Sequence, residues 1–250
     1  MSKFFYCKNK TSILYKKPNF RSEHLKEILF GEIFIKLKEY KKFYYGFTQF
    51  DKYFGYVKKT NMNNHLIKNN YLVKSGKAYL YKNNNFRSKT NKFLYFNSKV
   101  FISNDGKNLS KSNAGWIRNR DLIAIKKIKN RNYLENINIF YKSKYVWGGN
   151  TNDGVDCSGL VQELMKNKLI RCPRNSKEQE IFFKKSINRN NIKKGDLLFW
   201  KGHVAIVISK KQCVHAYGPS KKVIKMQINK LISILIKKSL KLSSIKRPFG

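Results

Sequence analysis

Acidic residues are scarce in this sequence: 14 Asp and Glu stand against 54 Lys and Arg, which gives a formal net charge of +40 over 250 residues. Such an excess of positive charge is typical of proteins that bind nucleic acid or another anionic surface. The lysines are spread over every segment, however, and the heavy use of Lys, Asn and Ile is that of an AT-rich genome. We therefore attribute the charge mainly to codon bias and expect no specific nucleic-acid partner.

Cysteines are few as well. The four, Cys7, Cys157, Cys172 and Cys213, show no C-x-x-C spacing, which argues against a metal ion held by a cysteine cluster. A chain of this size also has no need of disulfides. We therefore expect free thiols, with no metal and no cofactor.

Long apolar runs are missing too. The longest one near the C-terminus, residues 231–236, is far too short to span a bilayer. Residues 1–20 are basic, but they have neither a continuous apolar stretch nor the small-residue cleavage site of a secretory signal. The sequence thus predicts a cytoplasmic protein without a membrane span, and it leaves the oligomeric state open.

Short runs of alternating hydrophobic residues are present in two sets, at 28–57 and 72–125, with a polar, asparagine-rich stretch at 61–70 between them. Short strands at close spacing predict small β barrels. The two sets end alike, in Gly55-Tyr56-Val57 and in Gly115-Trp116-Ile117. This echo predicts two copies of one barrel type, with a single irregular β domain as the alternative.

After residue 125 the pattern changes to helical candidates at 132–141 and 158–169. Strand-like runs then follow at 196–200, 204–208, 213–217 and 223–228. Helices followed by an antiparallel meander indicate an α+β fold. The predicted organisation in chain order is an N-terminal extension at 1–22, a first barrel at 23–62, a second barrel at 70–125 and the α+β domain at 126–250.

The segment Asp156-Cys157-Ser158-Gly159-Leu160 places a cysteine at the predicted first turn of a helix, directly after a glycine-rich turn. Helix N-termini carry unpaired N–H groups and about half a positive charge, which stabilise a thiolate. Reactive cysteines lie in such places. A lone cysteine at a helix start is more often structural, so a nucleophilic Cys157 needs a base nearby and a third group that orients the base.

Two histidines downstream, His203 and His215, supply these groups if their strands pair as a hairpin. Side chains alternate along a strand, so the register decides whether both rings face the same side. A two-residue turn would put them on opposite faces. A three-residue loop at 209–211 would place His215 opposite Ala205, diagonal to His203 on one face and about 7–8 Å away. We therefore predict an odd loop length or a bulge here.

Six short motifs follow one another along the second half of the chain. They are Tyr145-Val146-Trp147-Gly148-Gly149, Asp156-Cys157-Ser158-Gly159-Leu160-Val161, Pro173-Arg174-Asn175-Ser176, Gly195-Asp196-Leu197-Leu198-Phe199-Trp200, Gly202-His203-Val204-Ala205-Ile206-Val207 and Val214-His215-Ala216. Together they resemble the NlpC-type family of papain-like cell-wall cysteine peptidases. The ending at 245–248 is similar to the tail of a branch in which two bacterial SH3-like barrels precede the catalytic domain.

The resemblance implies a papain-like domain, with helices packed on an antiparallel sheet, behind two SH3-like barrels. It implies hydrolysis of the γ-D-glutamyl–diamino acid bond of peptidoglycan stem peptides, with Cys157 as nucleophile, His203 as general base and acid, and His215 as the residue that orients the imidazole. The Cys157 N–H at the helix start helps to hold the oxyanion, and the resemblance adds the Tyr145 hydroxyl. We expect a thiolate–imidazolium pair that supports activity near neutral pH.

A closed substrate pocket is a further implication of the resemblance. Its residues are Trp147, Asp156, Ser158 and Ser176 in the catalytic domain and Glu32 and Tyr53 in the first barrel. Asp156 and Glu32 are expected to bind the free amine of an N-terminal L-Ala through a charge-assisted contact. The substrates would then be free L-Ala-γ-D-Glu-diamino acid peptides in cell-wall recycling. The alternative for Glu32 and Tyr53 is ordinary barrel surface, and Asn175 stands where the branch often has a substrate-contacting Asp.

Two other functions stay open on the sequence. One is an amidase or acyltransferase of the same fold that acts on another small amide, since relatives of this fold do such chemistry. The other is a non-catalytic module whose barrels bind the cell wall or another polyanion. The joint presence of Cys157, His203 and His215 argues against the non-catalytic module, because drift would readily remove one of the three.

Overall fold

A computed structural model describes residues 3–65, 67–128 and 132–249. These residues group into two compact units. The first contains residues 3–128 together with 150–152, and the second contains 132–149 together with 153–249. Within the described residues, no helix has the length and hydrophobicity that crossing a membrane requires.

The first part of the first unit is one antiparallel sheet. Its strands are β1 (Phe4–Cys7), β2 (Thr11–Tyr15), β3 (His24–Leu29), β4 (Ile33–Tyr40), β5 (Phe43–Thr48), β6 (Phe54–Lys58) and β7 (Met62–Asn63). They pair in the order β3-β2-β6-β5-β4-β1-β7. The core that the sheet encloses consists of Phe5, Cys7, Leu14, Ile28, Phe34, Val57 and Met62.

The predicted N-terminal extension at 1–22 is wrong, because two strands of this sheet lie within it. β1 pairs with β4, with Phe5 opposite Phe34, and β2 pairs with both β3 and β6. Burial alternates along β2, as expected of a strand with one face on a core. The apolar runs are short and flanked by lysines, and β1 pairs with residues almost thirty positions away, so local pattern alone did not reveal them.

The second part of the first unit has its own core. Its strands are β8 (Tyr71–Val73), β9 (Lys77–Tyr81), β10 (Lys89–Tyr95), β11 (Lys99–Val100), β12 (Ile102–Asp105), β13 (Leu109–Ser112), β14 (Gly115–Arg118) and β15 (Leu122–Ala124). They form a five-stranded sheet, β10-β9-β14-β13-β12, and a three-stranded sheet, β11-β8-β15. The core consists of Phe30, Val73, Ala78, Leu80, Leu94, Val100, Ile102, Ile117 and Leu122.

The echo between the two strand sets has a structural counterpart. β6 and β14, which carry the two Gly–aromatic motifs, are each followed by a 3₁₀ turn, Lys59–Asn61 and Asn119–Asp121. The residues before these turns have φ/ψ of −63°/125° and −64°/131°, and the residues after them have −113°/150° and −116°/150°. The two sets thus repeat one local backbone design. Their SH3-like identity and the boundaries at 23–62 and 70–125 stay predictions.

The second unit combines helices with a sheet. Its elements are β16 (Lys144–Tyr145), β18 (Gly154–Val155), α1 (Cys157–Lys166), α2 (Ser176–Phe182), β19 (Leu197–Trp200), β20 (His203–Val207), β21 (Gln212–Tyr217), β22 (Lys222–Gln227), α3 (Ile228–Ile236) and β23 (Leu242–Lys246), while β17 (Asn150–Thr151) falls in the first unit. The strands pair in the order β18-β16-β22-β21-β20-β19-β23. All pairs are antiparallel except β16 with β18.

The predicted α+β class is confirmed. α1 contacts β20 and β21, and α3 contributes Leu231 and Leu235 to a core cluster that contains Leu198 and Val207 of the sheet. The helix predicted at 132–141 is present, but residues Tyr133–Phe140 form a 3₁₀ helix rather than an α-helix. The four strand predictions after residue 195 agree with β19–β22 to within one residue at each end.

Candidate active site

The start of α1 carries the predicted nucleophile. α1 begins at Cys157, with Asp156 as its N-cap, and the Asp156 Oδ1 accepts the Gly159 N–H at 2.7 Å. The other carboxylate oxygen, Oδ2, accepts the Gly148 N–H at 2.8 Å. An Asp side chain that accepts from the first turn is a strong N-cap. The predicted position of Cys157 in the first turn of a helix is therefore confirmed.

Two glycines make this tight junction possible. Gly148 has φ +72°, a left-handed conformation that costs other residues energy. Gly159 lies so close to the preceding turn that a Cβ there would sit 2.5 Å from the Gly149 carbonyl oxygen. The glycine-rich turn and the first turn of the helix are thus packed backbone against backbone, which fixes where Cys157 stands.

The two histidines lie on one face of a hairpin. Ile206 pairs with Val214 and Val207 with Cys213, which places Ala205 opposite His215. The Ile208 N–H donates to the Gln212 carbonyl at 2.9 Å, so the loop is residues 209–211. The odd loop length and the register predicted from the sequence are both confirmed.

A hydrogen bond of 2.8 Å joins Nε2 of His203 to Nδ1 of His215. The His215 ring is fully buried, and it stacks at 4.9 Å on the ring of Tyr217. With Nε2 engaged by His215, the Nδ1 atom of His203 is the ring nitrogen left to exchange a proton with a nucleophile. This is the orienting role that the third member of a catalytic triad performs.

The nucleophile and the base are close in space. The Val204 backbone N–H, one residue after His203, donates to the Cys157 sulfur. β20 packs against α1, so the strand that carries His203 passes directly by the helix start. The structure therefore places the Cys157 sulfur beside the strand that carries His203, and His203 beside His215. Their joint action as a catalytic triad stays a prediction.

Burial sets the protonation of this group. It raises the pKa of the Cys157 thiol to about 12, to which the Asp156 carboxylate also contributes, while the Val204 N–H and Arg174 act in the opposite direction. Burial lowers the pKa of His203 to about 4, and burial together with His203 lowers that of His215 to about 3. Each shift favours the neutral form. The shifts therefore favour a thiol and a neutral imidazole, and the expected thiolate–imidazolium pair stays a prediction.

Arg174 is a residue of the site to which sequence reasoning gave no role. Its Nη1 and Nη2 donate to Asp156 Oδ1 and Oδ2 at 2.8 Å and 2.6 Å, a bidentate pair in which both side chains are buried. In the structure, both carboxylate oxygens of Asp156 accept hydrogen bonds from Arg174 and from backbone N–H groups. The contact between Asp156 and a substrate amine, which the resemblance implied, stays a prediction. The sequence did contain a signal for the role of Arg174, because a carboxylate that is buried requires a cation nearby.

The other predicted residues of the second unit surround this centre. Tyr145 is half-buried in β16, and burial with the nearby Cys157 raises the pKa of its hydroxyl to about 12. Trp147 is 63% exposed, so its ring is available to a ligand. Ser158 and Ser176 are buried in the first turns of α1 and α2, and Gln179 of α2 donates to the Ser158 carbonyl.

Glu32 and Tyr53 lie in the first unit, whereas the triad lies in the second. Glu32 is buried, and its Oε2 accepts the Leu29 N–H at 2.8 Å across the turn between β3 and β4. Glu32 is thus not exposed barrel surface, which was the alternative reading. Tyr53 packs at the edge of the first barrel core. Their predicted part in the substrate pocket stays a prediction.

Across the described ranges, no three or more Asp, Glu, His or Cys side chains are grouped so that they could hold a metal ion. All four cysteines are buried, and Cys7, Cys157 and Cys213 are free thiols.

A family model and several relatives match the part of the chain that holds the site. The model of the NlpC/P60 family matches residues 142–240. The chain is 38% identical over 79 residues to the murein DD-endopeptidase MepS/murein LD-carboxypeptidase of Escherichia coli K12, and 38% identical over 77 residues to the probable endopeptidase NlpC homolog of Haemophilus influenzae Rd. These matches cover 29% and 30% of this chain and 42% of each relative, so the chain spans less than half of the relatives' length.

Solved structures resemble more of the chain. The crystal structure of an NlpC/P60 family protein from Bacillus cereus ATCC 10987 matches with a TM-score of 0.83 and 17% identity, over 99% of this chain and 100% of that one. An NlpC/P60 endopeptidase from Photobacterium damselae subsp. piscicida matches with a TM-score of 0.64 and 15% identity, over 97% and 70%. At such identities the likeness establishes the fold alone.

Proposed function

We propose that this chain, whose residues 142–240 match the model of the NlpC/P60 family, is a cysteine peptidase that hydrolyses peptides derived from peptidoglycan. One observation carries the proposal: a buried cysteine at a helix start contacts the strand that carries a histidine, and a nitrogen of that histidine is held by a second histidine at 2.8 Å. A nucleophile, a base and an orienting group in this order are what amide hydrolysis by a thiol requires.

The geometry gives each residue one step of the reaction. As the Cys157 sulfur attacks the carbonyl carbon, its proton passes to Nδ1 of His203, because Nε2 is engaged by His215. The oxyanion is stabilised by the Cys157 N–H at the helix start and by the Tyr145 hydroxyl. His203 then donates its proton to the departing amine. It next takes a proton from the water molecule that hydrolyses the thioester.

For the scissile bond we propose the γ-D-glutamyl–diamino acid linkage. Two lines support this choice over the bonds named for the Escherichia coli relative. The six motifs and residues 245–248 resemble the two-barrel branch, for which the resemblance implies this linkage. The Escherichia coli relative matches 79 residues, which are 29% of this chain.

The substrate form and the location belong to the same proposal. Free peptides with an N-terminal L-Ala carry an ammonium group, and the two carboxylates predicted to bind it are those of Glu32 and Asp156. Tyr53 and Trp147 are predicted to contact the same substrate. Ser176 offers a hydroxyl donor to the D-Glu part, whereas the Ser158 hydroxyl donates to Asp156 Oδ1 at 3.2 Å. An enzyme of this selectivity trims released peptides in the cytoplasm as a step of cell-wall recycling, and fractionation of the producing cells tests that location.

The test is incubation of the full chain with L-Ala-γ-D-Glu-diaminopimelate, followed by mass spectrometry. Release of the L-Ala-γ-D-Glu dipeptide is expected from the wild type and from Cys172→Ala, a matched control that removes a buried thiol outside the triad. No release is expected from Cys157→Ala. Equal release from Cys157→Ala would refute the role of this thiol.

The finer claims need two further substrates. N-acetylation of the L-Ala amine should abolish cleavage, and Glu32→Gln should raise KM, whereas the exposed-surface control Glu39→Gln should not. A D-Ala–diaminopimelate cross-linked peptide should stay intact. Cleavage of that peptide in place of the tripeptide would assign the bond named for the Escherichia coli relative and overturn the proposed linkage.

A further inference from the structure

Arg174 ties together the segments that meet at the start of α1. Besides its two bonds to Asp156, it donates from Nη1 to the Ser158 hydroxyl at 2.9 Å and from Nη2 to the Gly149 carbonyl at 3.3 Å. The guanidinium is 2% exposed. Its partners thus belong to the glycine-rich turn, the helix cap and the first turn of the helix, the three parts that hold Cys157 in place.

The charge of Asp156 is a problem for a neighbouring nucleophile. As an N-cap it needs only an acceptor oxygen, which Asn supplies equally well. As an anion buried beside Cys157 it opposes the formation of a thiolate, and it is one of the causes that raise the pKa of that thiol, whereas Arg174 is one of those that lower it. Burial raises the pKa of Tyr145, which lies near the same sulfur, and lowers that of His203, so it favours the uncharged form of each.

We propose that Arg174 is a positioning residue of the active site: it fixes the Asp156 carboxylate as the cap of α1 and cancels its negative charge beside the Cys157 sulfur. Asp156 thereby orders the nucleophile without suppressing its ionisation. The inference rests on the proposed function only in taking Cys157 as the nucleophile. The bidentate geometry supports it, because a planar guanidinium matches both carboxylate oxygens, which a lysine cannot do.

A purely structural role of the ion pair between Asp156 and Arg174 would have a different effect on Cys157 when either partner is substituted. If Arg174 and Asp156 only hold three segments together, removal of either partner disorders the helix start in the same way. If the pair also balances charge at Cys157, the two single variants have effects of opposite sign on the ionisation of its thiol. The sign is therefore the deciding observation.

The experiment measures iodoacetamide alkylation of the full chain between pH 6 and 10, with Cys157→Ala as the background for the three other thiols. Arg174→Gln leaves a buried carboxylate unpaired and should slow alkylation of Cys157 at a fixed pH about tenfold, because a nearby charge changes a pKa by about one or more. Asp156→Asn leaves the guanidinium unpaired and should accelerate alkylation by a similar factor. The double variant should lie between the two.

The proposal is overturned if Arg174→Gln and Asp156→Asn change the alkylation rate of Cys157 in the same direction. It is also overturned if the pH dependence of alkylation is unchanged in both variants. Should Arg174→Gln fail to fold, as judged by circular dichroism, Asp156→Asn decides alone: faster alkylation supports the proposal, and equal or slower alkylation overturns it. Alkylation requires no peptide substrate. A chain that cleaves no stem peptide but gives opposite signs would therefore refute the proposed function and leave the role of Arg174 standing.

Discussion

His203 and His215 are joined by a hydrogen bond of 2.8 Å between Nε2 and Nδ1, and the direction of this bond depends on the tautomers of the two rings. If His203 takes the thiol proton at Nδ1, its Nε2 carries hydrogen at rest and donates to Nδ1 of His215. The proton of the His215 ring is then on Nε2, an atom that is buried and has no hydrogen-bond partner in the structure. His215 therefore acts as an acceptor towards the base.

Substitution of His215 tests this arrangement. His215→Ala removes the acceptor and leaves the His203 ring free to turn, so we expect kcat to fall by about 10²–10⁴-fold with little change in KM. His215→Asn retains an acceptor oxygen on a shorter side chain and should recover part of the loss. Steady-state kinetics on the tripeptide measures both values. A His215→Asn variant no better than His215→Ala would show that ring packing, not the acceptor, is what the base needs.

The protonation of the dyad gives a second prediction. A preformed thiolate–imidazolium pair reacts with iodoacetamide at a rate that stays level from mildly acidic to neutral pH. Here burial raises the pKa of Cys157 to about 12 and lowers that of His203 to about 4, so both groups are neutral over this range. The alkylation rate of the wild type should therefore keep rising from pH 6 to pH 10. A plateau between pH 5 and pH 8 would establish the ion pair instead.

The buried histidines also link stability to pH. Their pKa values of about 4 and about 3 lie below the ordinary 6.5, so below pH 6.5 the unfolded chain binds more protons than the folded one. The stabilisation is complete above pH 6.5 and is lost as the pH falls towards 4, at up to about 1.4 kcal/mol per pH unit for each histidine.

Urea unfolding at pH 7.0, 5.5 and 4.5 measures this loss. The double variant His203→Gln/His215→Gln should show a weaker decline in the free energy of unfolding than the wild type, by a few kcal/mol between the two extremes, as the linkage slope implies. The matched control is His65→Gln, because His65 is exposed and should leave the pH dependence unchanged. Parallel declines in all three proteins would mean that carboxylates alone cause the acid sensitivity.

The parts of this site that the sequence revealed are those fixed by local rules. The helix start at Cys157 follows from an N-cap residue and a glycine turn, and the face shared by His203 and His215 follows from strand alternation and one loop length. Both are decided within about a dozen residues, which is the range over which sequence patterns determine backbone geometry.

The parts that were missed depend on contacts between distant segments. The ion pair of Asp156 with Arg174 joins residues eighteen positions apart, β23 reaches back more than forty residues to pair with β19, and β1 pairs with β4. The shift of both groups of the dyad towards their neutral forms was not predicted for the same reason, since burial is a property of the packed domain. Sequence patterns identify the groups that react, whereas the pKa values of these groups depend on how the domain packs around them.

Gly159 provides a final prediction, on the packing that holds the nucleophile. A Cβ at this position would lie 2.5 Å from the Gly149 carbonyl oxygen, a backbone atom that cannot move aside without shifting the turn. Gly159→Ala should therefore cost about 1–3 kcal/mol of stability, as overpacking does elsewhere. It should also reduce kcat more than the stability loss explains, because the turn and the helix start move apart.

Gly218→Ala is the matched control, since the added Cβ would lie 3.7 Å from the Tyr145 ring, an ordinary contact, and the backbone there has no positive φ. It should change stability by less than about 0.5 kcal/mol. Thermal unfolding and tripeptide kinetics on the three proteins separate the two effects. If Gly159→Ala melted with the wild type and kept full kcat, close contact between the glycine-rich turn and α1 could not be what fixes Cys157.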